Sequence, residues 1–332
     1  MNAIVQDTYG SAEVLELREI DKPVPKDHEV LVRVGAAGVD RGVWHLMTGL
    51  PYLLRAGYGL RAPRNAVRGR EVSGRVEGVG REVTRFRPGD EVMGIAEGSF
   101  AEYACAREDK LARKPANLSF EQAAAVPVSA STALQGLRDQ GTLQPGQKVL
   151  VIGAAGGVGS YAVQLAKAFG AEVTGVCSTS QVDLVRSLGA DEVIDYTREE
   201  FADRAHRYDL ILDTAGRRPL SHLRRALTRR GTLVIVGGEG GDRWTGGMGR
   251  QLRALAISPF LRQRLRMFVN KERHEELELL TELIEAGKVT PVIDRIYPLG
   301  EAPEAIRQLV DGHLRGKLVI TVCQAGRAPH TR

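Results

Sequence analysis

Hydrophobic and polar positions alternate in short runs through the first third of the chain. Residues 30–34 (VLVRV) alternate between Asp27 and Gly35, and 72–79 (VSGRVEGV) is strand-like and punctuated by glycine. Residues 91–95 (EVMGI) follow the turn Pro88-Gly89-Asp90, and 100–105 (FAEYAC) alternates again. Short strands separated by Gly, Pro and Asp turns predict a compact, partly open barrel or sandwich.

The texture changes at 119–122 (SFEQ), where Ser119 followed three residues later by Gln122 makes a capping-box pattern that opens a helix. From there, strands at 148–152, 172–177, 193–194, 210–213 and 232–236 alternate with helices at 158–169, 181–188 and 219–227. This alternation predicts an α/β architecture with a doubly wound parallel sheet. A glycine-rich stretch at 237–249 is followed by a basic, amphipathic run at 252–268. A strong helix is predicted over 272–286, with Gly287 as its C-cap. The tail reads strand, helix, strand at 293–297, 303–311 and 317–322, and is expected to return to the first domain. No internal repeat or low-complexity segment interrupts this order.

A length of 332 residues allows two domains and a substantial core. The net charge of +5 is mostly scattered arginine. The densest cluster, Arg217, Arg218, Arg224, Arg225, Arg229 and Arg230, reads as a solvated helix face. No dense basic run carries interleaved aromatics, which argues against nucleic-acid binding. Cys105, Cys177 and Cys323 are isolated, with no CxxC, so a disulfide framework or a cysteine-rich zinc finger is not expected. That usage fits a reducing cytoplasm. The first residues, MNAIVQDTYG, do not form a secretion signal. No apolar stretch approaches the roughly 20 residues that cross a bilayer.

The strongest local signal is VLVIGAAGGVGSYAVQLAKAFGA, residues 149–171. An apolar strand runs into Ala154-Ala155-Gly156-Gly157-Val158-Gly159, which opens an amphipathic helix. Glycines let the backbone approach a pyrophosphate, and the helix N-terminus supplies N–H donors. Ala154 stands where the first glycine of GxGxxG belongs. Ala155, Gly156, Gly157, Val158 and Gly159 are therefore candidate cofactor contacts; a purely structural strand–helix turn is the alternative. The next strand ends in Val176-Cys177-Ser178-Thr179-Ser180, with no acid before Asp183. A site preferring NAD usually ends this strand with Asp or Glu on the ribose 2′-hydroxyl. Hydroxyls at Ser178, Thr179 and Ser180 can donate to a 2′-phosphate instead, which points to NADPH. Arg186 or Arg198 could supply the basic clamp.

Together with 36–40 (AAGVD), 69–71 (GRE), 88–92 (PGDEV), 188–196 (LGADEVIDY), 212–216 (LDTAG) and 316–321 (GKLVIT), this motif gives a chain that resembles the medium-chain dehydrogenase/reductase superfamily, on its zinc-free quinone oxidoreductase-like side. The resemblance covers essentially the whole chain. It implies a GroES-like β-rich catalytic domain over 1–125, completed by 288–332, and a Rossmann NADP-binding domain over 126–287, with the active site between them. It also implies a homodimer. By position it adds Tyr196 at the adenosine end, Ala215 and Gly216 at a strand end, and Gly237 and Gly238 beside the nicotinamide. Each of these could equally be an ordinary turn residue. Zinc-dependent relatives hold catalytic zinc with Cys, His and Cys; the resemblance places Asp40, Arg70 and Val128 at those positions. A guanidinium stays protonated and cannot ligate a cation, so no metal is expected.

Without a metal, hydride delivery to an already activated acceptor is easier than alcohol oxidation. A quinone or the β-carbon of an α,β-unsaturated carbonyl fits, with a hydrophobic body. Tyr52 is the first candidate proton donor, in a region that lines the cleft in relatives. Asp40 is a candidate acceptor that either orients a hydroxyl or pairs with Arg70. His45 matches a relay histidine, although a lone His beside Trp44 is more often simply packed. The stretch 46–68 is expected to form a lid with Tyr52, Leu53, Leu54, Tyr58 and Leu60, or a plain surface loop. The competing readings are an NADP-dependent alcohol dehydrogenase or carbonyl reductase, and a dinucleotide-binding sensor without turnover.

Overall fold

The computed structural model describes residues 1–201, 208–216, 218–237, 242–312 and 314–322. The first part holds β1 (Asn2–Val5), β2 (Glu16–Glu19), β3 (Glu29–Val39), α1 (Arg41–Thr48), α2 (Arg55–Tyr58), β4 (Glu71–Val79), β5 (Glu91–Ile95), β6 (Tyr103–Arg107), β7 (Leu111–Arg113) and α3 (Phe120–Ala124). The β1–β2 ribbon escapes the sequence reading, yet Ala3 and Ile4 are fully buried in it. The strand expected at 100–105 begins at Tyr103, because Phe100 is spent beforehand: its N–H donates to Arg68 and its carbonyl accepts from Ile4. The capping box at α3 is present, with Ser119 and Gln122 satisfying each other's backbone N–H.

The second part contains α4 (Pro127–Gln135), β8 (Lys148–Ile152), α5 (Gly157–Ala168), β9 (Glu172–Cys177), α6 (Val182–Ser187), β10 (Glu192–Asp195), β11 (Tyr208–Asp213), α7 (Leu220–Ala226), β12 (Leu227–Ile235), α8 (Met248–Ile257), β13 (Arg264–Met267) and α9 (His274–Glu285). Six parallel strands lie in the order β10-β9-β8-β11-β12-β13. Along β8, Val149 and Val151 pack into one core cluster, while Leu150 and Ile152 pack into the cluster on the opposite face. Burial on both faces is why this strand reads as an unbroken apolar run. The basic run at 252–268 is not one amphipathic element. The α8 helix stops at Ile257, Pro259 sits in the turn that follows, and Arg264–Met267 forms the sixth strand. Its four residues bury Leu265 and expose Arg264, a period of two too short to stand out among arginines. Gly287 takes a left-handed φ of 69° one residue past the cap Ala286.

The tail is β14 (Ile293–Pro298), α10 (Ala302–Asp311) and β15 (Lys317–Thr321). It joins the first part's seven-stranded sheet, whose path is β14-β15-β3-β4-β5-β7, with β6 also paired to β3. The molecule thus combines a GroES-like domain with a Rossmann domain, and the chain's end belongs to the sheet made by its beginning.

Candidate active site between the two sheets

The strand order reverses between β8 and β11, and the crevice beyond their C-terminal ends is where such sheets bind nucleotides. After β8, Gly153 has a φ of 81°, a conformation that suits glycine. A Cβ on Gly159 would lie 2.0 Å from the Gly153 carbonyl, so the turn closes only with glycine at both ends. Gly156 caps α5 without any side-chain hydrogen bond, leaving first-turn N–H groups available to an anion. Ala154 replaces the expected glycine by pressing into the core against Gly175, where an added Cβ would approach the Ala154 methyl to 3.1 Å. Ala155 is buried, and its carbonyl accepts from Gly316 at 2.8 Å.

The opposite lip is built on Asp213 at the end of β11. Its carboxylate is fully buried, pairs with Arg250 of α8, and accepts from the Gly216 N–H at 3.0 Å. The Thr214 hydroxyl donates to the Ile152 carbonyl at 2.7 Å, and the Gly237 N–H donates to the Asp213 carbonyl at 3.2 Å. These contacts bring Ala215, Gly216 and Gly237 to the mouth of the same turn. Gly238 lies outside the described residues.

Beyond β9, the Ser178 and Ser180 hydroxyls stand 3.4 Å apart. Thr179 is committed elsewhere: its hydroxyl donates to Asp195 at 2.6 Å, so the expected free donor is absent. An acid therefore does face this loop, from the neighbouring strand β10. Hydrogen bonds from Thr179 and Thr197 hold Asp195 below the usual carboxylate range and occupy both its oxygens. Arg186 faces Asp183 at 3.7 Å and Arg198 faces Asp195 at 3.4 Å. The cation that reaches the loop is Arg315, whose Nη2 donates to the Ser180 carbonyl at 3.2 Å across 135 residues of sequence. Beside it, Gln181 donates to the Leu314 carbonyl at 3.0 Å. Tyr196 is 46% exposed next to this loop, its N–H bonded to Cys177.

The three positions that the sequence resemblance aligns with zinc ligands carry other bonds here. Asp40 is the N-cap of α1, with Oδ1 accepting from the Val43 N–H at 3.0 Å. Its Oδ2 is buried without a hydrogen-bond partner. The expected Asp40–Arg70 salt bridge does not form. Arg70 instead donates to Glu272, which reaches across from the segment before α9. Burial opposes the Arg70 charge, but Glu272 and then Asp40 outweigh it and raise its pKa. Val128 has an apolar side chain, and its N–H donates to Glu71 at 2.9 Å. Arg70 and Val128 cannot serve as zinc ligands. Among the described residues no group of three or more His, Cys, Asp or Glu side chains could hold a metal ion. Glu71 itself is fully buried against Lys317 of β15, and burial pushes its carboxyl up to about 7 despite that ammonium.

The stretch 46–68 forms a cover rather than a single loop. A cavity of about 250 Å³ lies beneath it, walled by Val43, Leu46, Val67, Tyr58, Arg68 and Arg70 among others. Tyr58 shares this cavity with Arg70; Tyr52 is not among its walls. The Tyr52 ring meets Trp244 edge-on at 5.4 Å, and its N–H donates to the Arg243 carbonyl at 2.8 Å, so it clasps the cover to the Rossmann domain. His45 is half-buried beside Trp44, and its Nδ1 lies 2.6 Å from the Leu50 carbonyl. That bond closes the turn after α1 and engages Nδ1. Glu272 and Arg315 escaped the sequence reading, because each acts on a partner more than a hundred residues away.

Two family models match the chain: an alcohol dehydrogenase GroES-like domain over residues 26–116 and a zinc-binding dehydrogenase over residues 188–320. The chain is 35% identical to the 2-methylene-furan-3-one reductase of Solanum lycopersicum, over 96% of this chain and 79% of that one. It is 34% identical to the mitochondrial NAD(P)H oxidoreductase RTN4IP1 of Mus musculus, over 97% of this chain and 89% of that one. Among solved structures, the quinone oxidoreductase of Coxiella burnetii superposes with a TM-score of 0.86 at 30% identity, covering 97% of this chain and 99% of that one.

Proposed function

Because this chain belongs to the quinone oxidoreductase-like branch of the medium-chain dehydrogenase/reductase superfamily, and is an oxidoreductase, we propose that it uses NADPH to reduce a quinone or an α,β-unsaturated carbonyl without zinc. The observation that carries this reading is Arg70, a charged side chain at a former ligand position, anchored across the domain gap by Glu272.

The nucleotide crevice suits a dinucleotide: an uncapped 12-residue helix for the pyrophosphate, and Ser178, Ser180 and Arg315 for a 2′-phosphate. When bound, the reduced nicotinamide supplies the hydride. The chain's own groups do the rest. Arg70 and Tyr58 face one cavity, where a cation and a phenol can stabilise negative charge developing on the acceptor oxygen. Tyr58 is the proton donor, the role expected of Tyr52. Asp40 Oδ2, buried and unpaired, accepts a hydroxyl from substrate or ribose. Val43, Leu46 and Val67 seat the hydrophobic part of the acceptor.

The assembly is a homodimer in this reading, joined along β13, an open sheet edge next to Phe260 at 89% exposure. Cytoplasmic placement is supported by the thiols of Cys105 and Cys177, which are free and which burial pushes up to about 11. Among the described residues, no helix is long and apolar enough to cross a membrane.

Consumption of NADPH and NADH over quinones, enones, aldehydes and alcohols tests the proposal. Enones or quinones should be reduced with NADPH preferred, and exhaustive chelation should leave the rate unchanged. A chelator-sensitive oxidation of simple alcohols would overturn it.

A further inference from the structure

Arg68 is 4% exposed, yet its Nε has no hydrogen-bond partner, and among the described residues no carboxylate lies within ion-pair distance of it. Its backbone is held on both sides, the N–H donating to the Ile4 carbonyl at 3.0 Å and the carbonyl accepting from the Phe100 N–H at 2.9 Å, and the residue lines the cavity beneath the cover. Burial pushes its pKa down to about 10, and it still carries a full charge at neutral pH. A buried, unpaired cation is costly to a fold and is ordinarily matched by a counter-charge. Glu97 stands at the rim but is exposed to solvent, and its attraction is correspondingly screened. Arg64 adds a second cation at the same mouth, and Arg70 a third, which is already engaged by Glu272.

We propose that this cavity is an anion-recognition subsite and that the acceptor it takes carries a carboxylate close to its activated double bond. This rests on the reductase reading above and narrows its substrate class. The carboxylate accepts from Arg68, the planar fork of which suits a two-oxygen anion. The carbonyl conjugated with the double bond then lies toward Arg70 and Tyr58, and the hydrocarbon part lies against Val43, Leu46 and Val67. The cover thus selects for charge as well as for apolar bulk.

The test compares trans-3-benzoylacrylate with its methyl ester as acceptors. It also measures calorimetric binding of the saturated acid, 3-benzoylpropanoate, and of that acid's methyl ester. The acid should exceed the ester in kcat/KM by about tenfold or more, the scale of a charge-assisted hydrogen bond. The saturated acid should bind tighter than its ester by a similar factor. In Arg68→Leu both ratios should fall close to one, while Arg68→Lys should keep part of each. Should Arg68→Leu fail to fold, competition by 3-benzoylpropanoate against wild-type turnover, weakening as salt is raised, supplies the same information. Equal use and equal binding of acid and ester by the wild type would overturn the proposal, as would an unchanged acid preference in Arg68→Leu. Binding does not depend on turnover. If the acid binds selectively but neither enone is reduced, the subsite stands and the reductase reading falls. If both enones are reduced alike and the saturated acid and its ester bind alike, the reductase reading stands and the subsite falls.

Discussion

Replacing Lys317 by Met keeps the aliphatic stem and deletes the ammonium that faces Glu71. Both groups are buried, Lys317 at 3% exposure and Glu71 at 0%, so the carboxyl loses its counter-charge without gaining water. Its other bond, from the Val128 N–H at 2.9 Å, remains. Breaking one partner of a buried pair costs about 3–5 kcal/mol when the survivor stays charged. With unfolding entropy near 2 cal/mol/K per residue, about 4 kcal/mol lowers the Tm of a 332-residue chain by about 6 °C if it unfolds cooperatively. The loss depends on pH. The Glu71 carboxyl is already raised by burial from 4.5 to about 7 in the folded protein. A raised carboxyl contributes most below its unfolded value, and that contribution is lost as pH climbs through the folded value. Without Lys317 the folded value moves higher still. The gap between Lys317→Met and wild type is therefore large at pH 8 and shrinks toward pH 5, where Glu71 keeps its proton. Thermal melts at both pH values read this directly. Glu71→Gln combined with Lys317→Met should recover most of the loss at pH 8. A gap independent of pH, or a double variant no better than the single one, would refute the reasoning.

Removing the Arg315 guanidinium with Ala should raise KM for NADPH roughly tenfold or more and leave KM for NADH nearly unchanged, because a charged hydrogen bond is worth about 1.5–3 kcal/mol; steady-state kinetics with both cofactors checks it. Tyr58→Phe should lower kcat by about 10²-fold or more, the usual contribution of a positioned proton donor, while Tyr52→Phe should change it by much less. Gly159→Ala places a methyl 2.0 Å from a backbone carbonyl and should abolish NADPH binding in a fluorescence titration, with a lowered Tm. Glu272→Gln leaves the Arg70 guanidinium half-buried without its ion-pair partner, and should change kcat more than KM for NADPH.

Elements whose residues answer to their own neighbours were legible in the sequence. The β8 strand, the turn after it and α5 are written in one continuous stretch, since both faces of the strand are buried and the turn needs glycine locally. The capping box at α3 is equally local. What was not legible depends on distant partners. That Thr179 is consumed follows from Asp195 on the adjacent strand, and the bond from Arg315 to the Ser180 carbonyl follows from the tail reaching the loop after β9. Arg70 was readable as a departure from a metal ligand, but its partner was misassigned. Asp40 is needed first as a helix cap, and Glu272 arrives from beyond the Rossmann sheet. The residues 52 and 58 show the same limit: both are tyrosines in one loop, and only the folded cover decides which of them faces the cavity.

The position of β15 has a consequence for synthesis. Residues 318–321 pair with 36–39, and Gly316 bonds to Ala155 beside the nucleotide turn, so β15 completes both the GroES-like sheet and the edge of the cofactor crevice. On the ribosome, the contiguous Rossmann segment can fold as soon as it emerges, but the GroES-like sheet must wait with an unpaired flank of β3 until β15 has been made. Closing a loop of nearly three hundred residues makes that step slow relative to the local ones. A nascent chain arrested shortly before β15 would carry a folded nucleotide fold and no working site. Activity would thus wait for β15 to emerge and pair with β3.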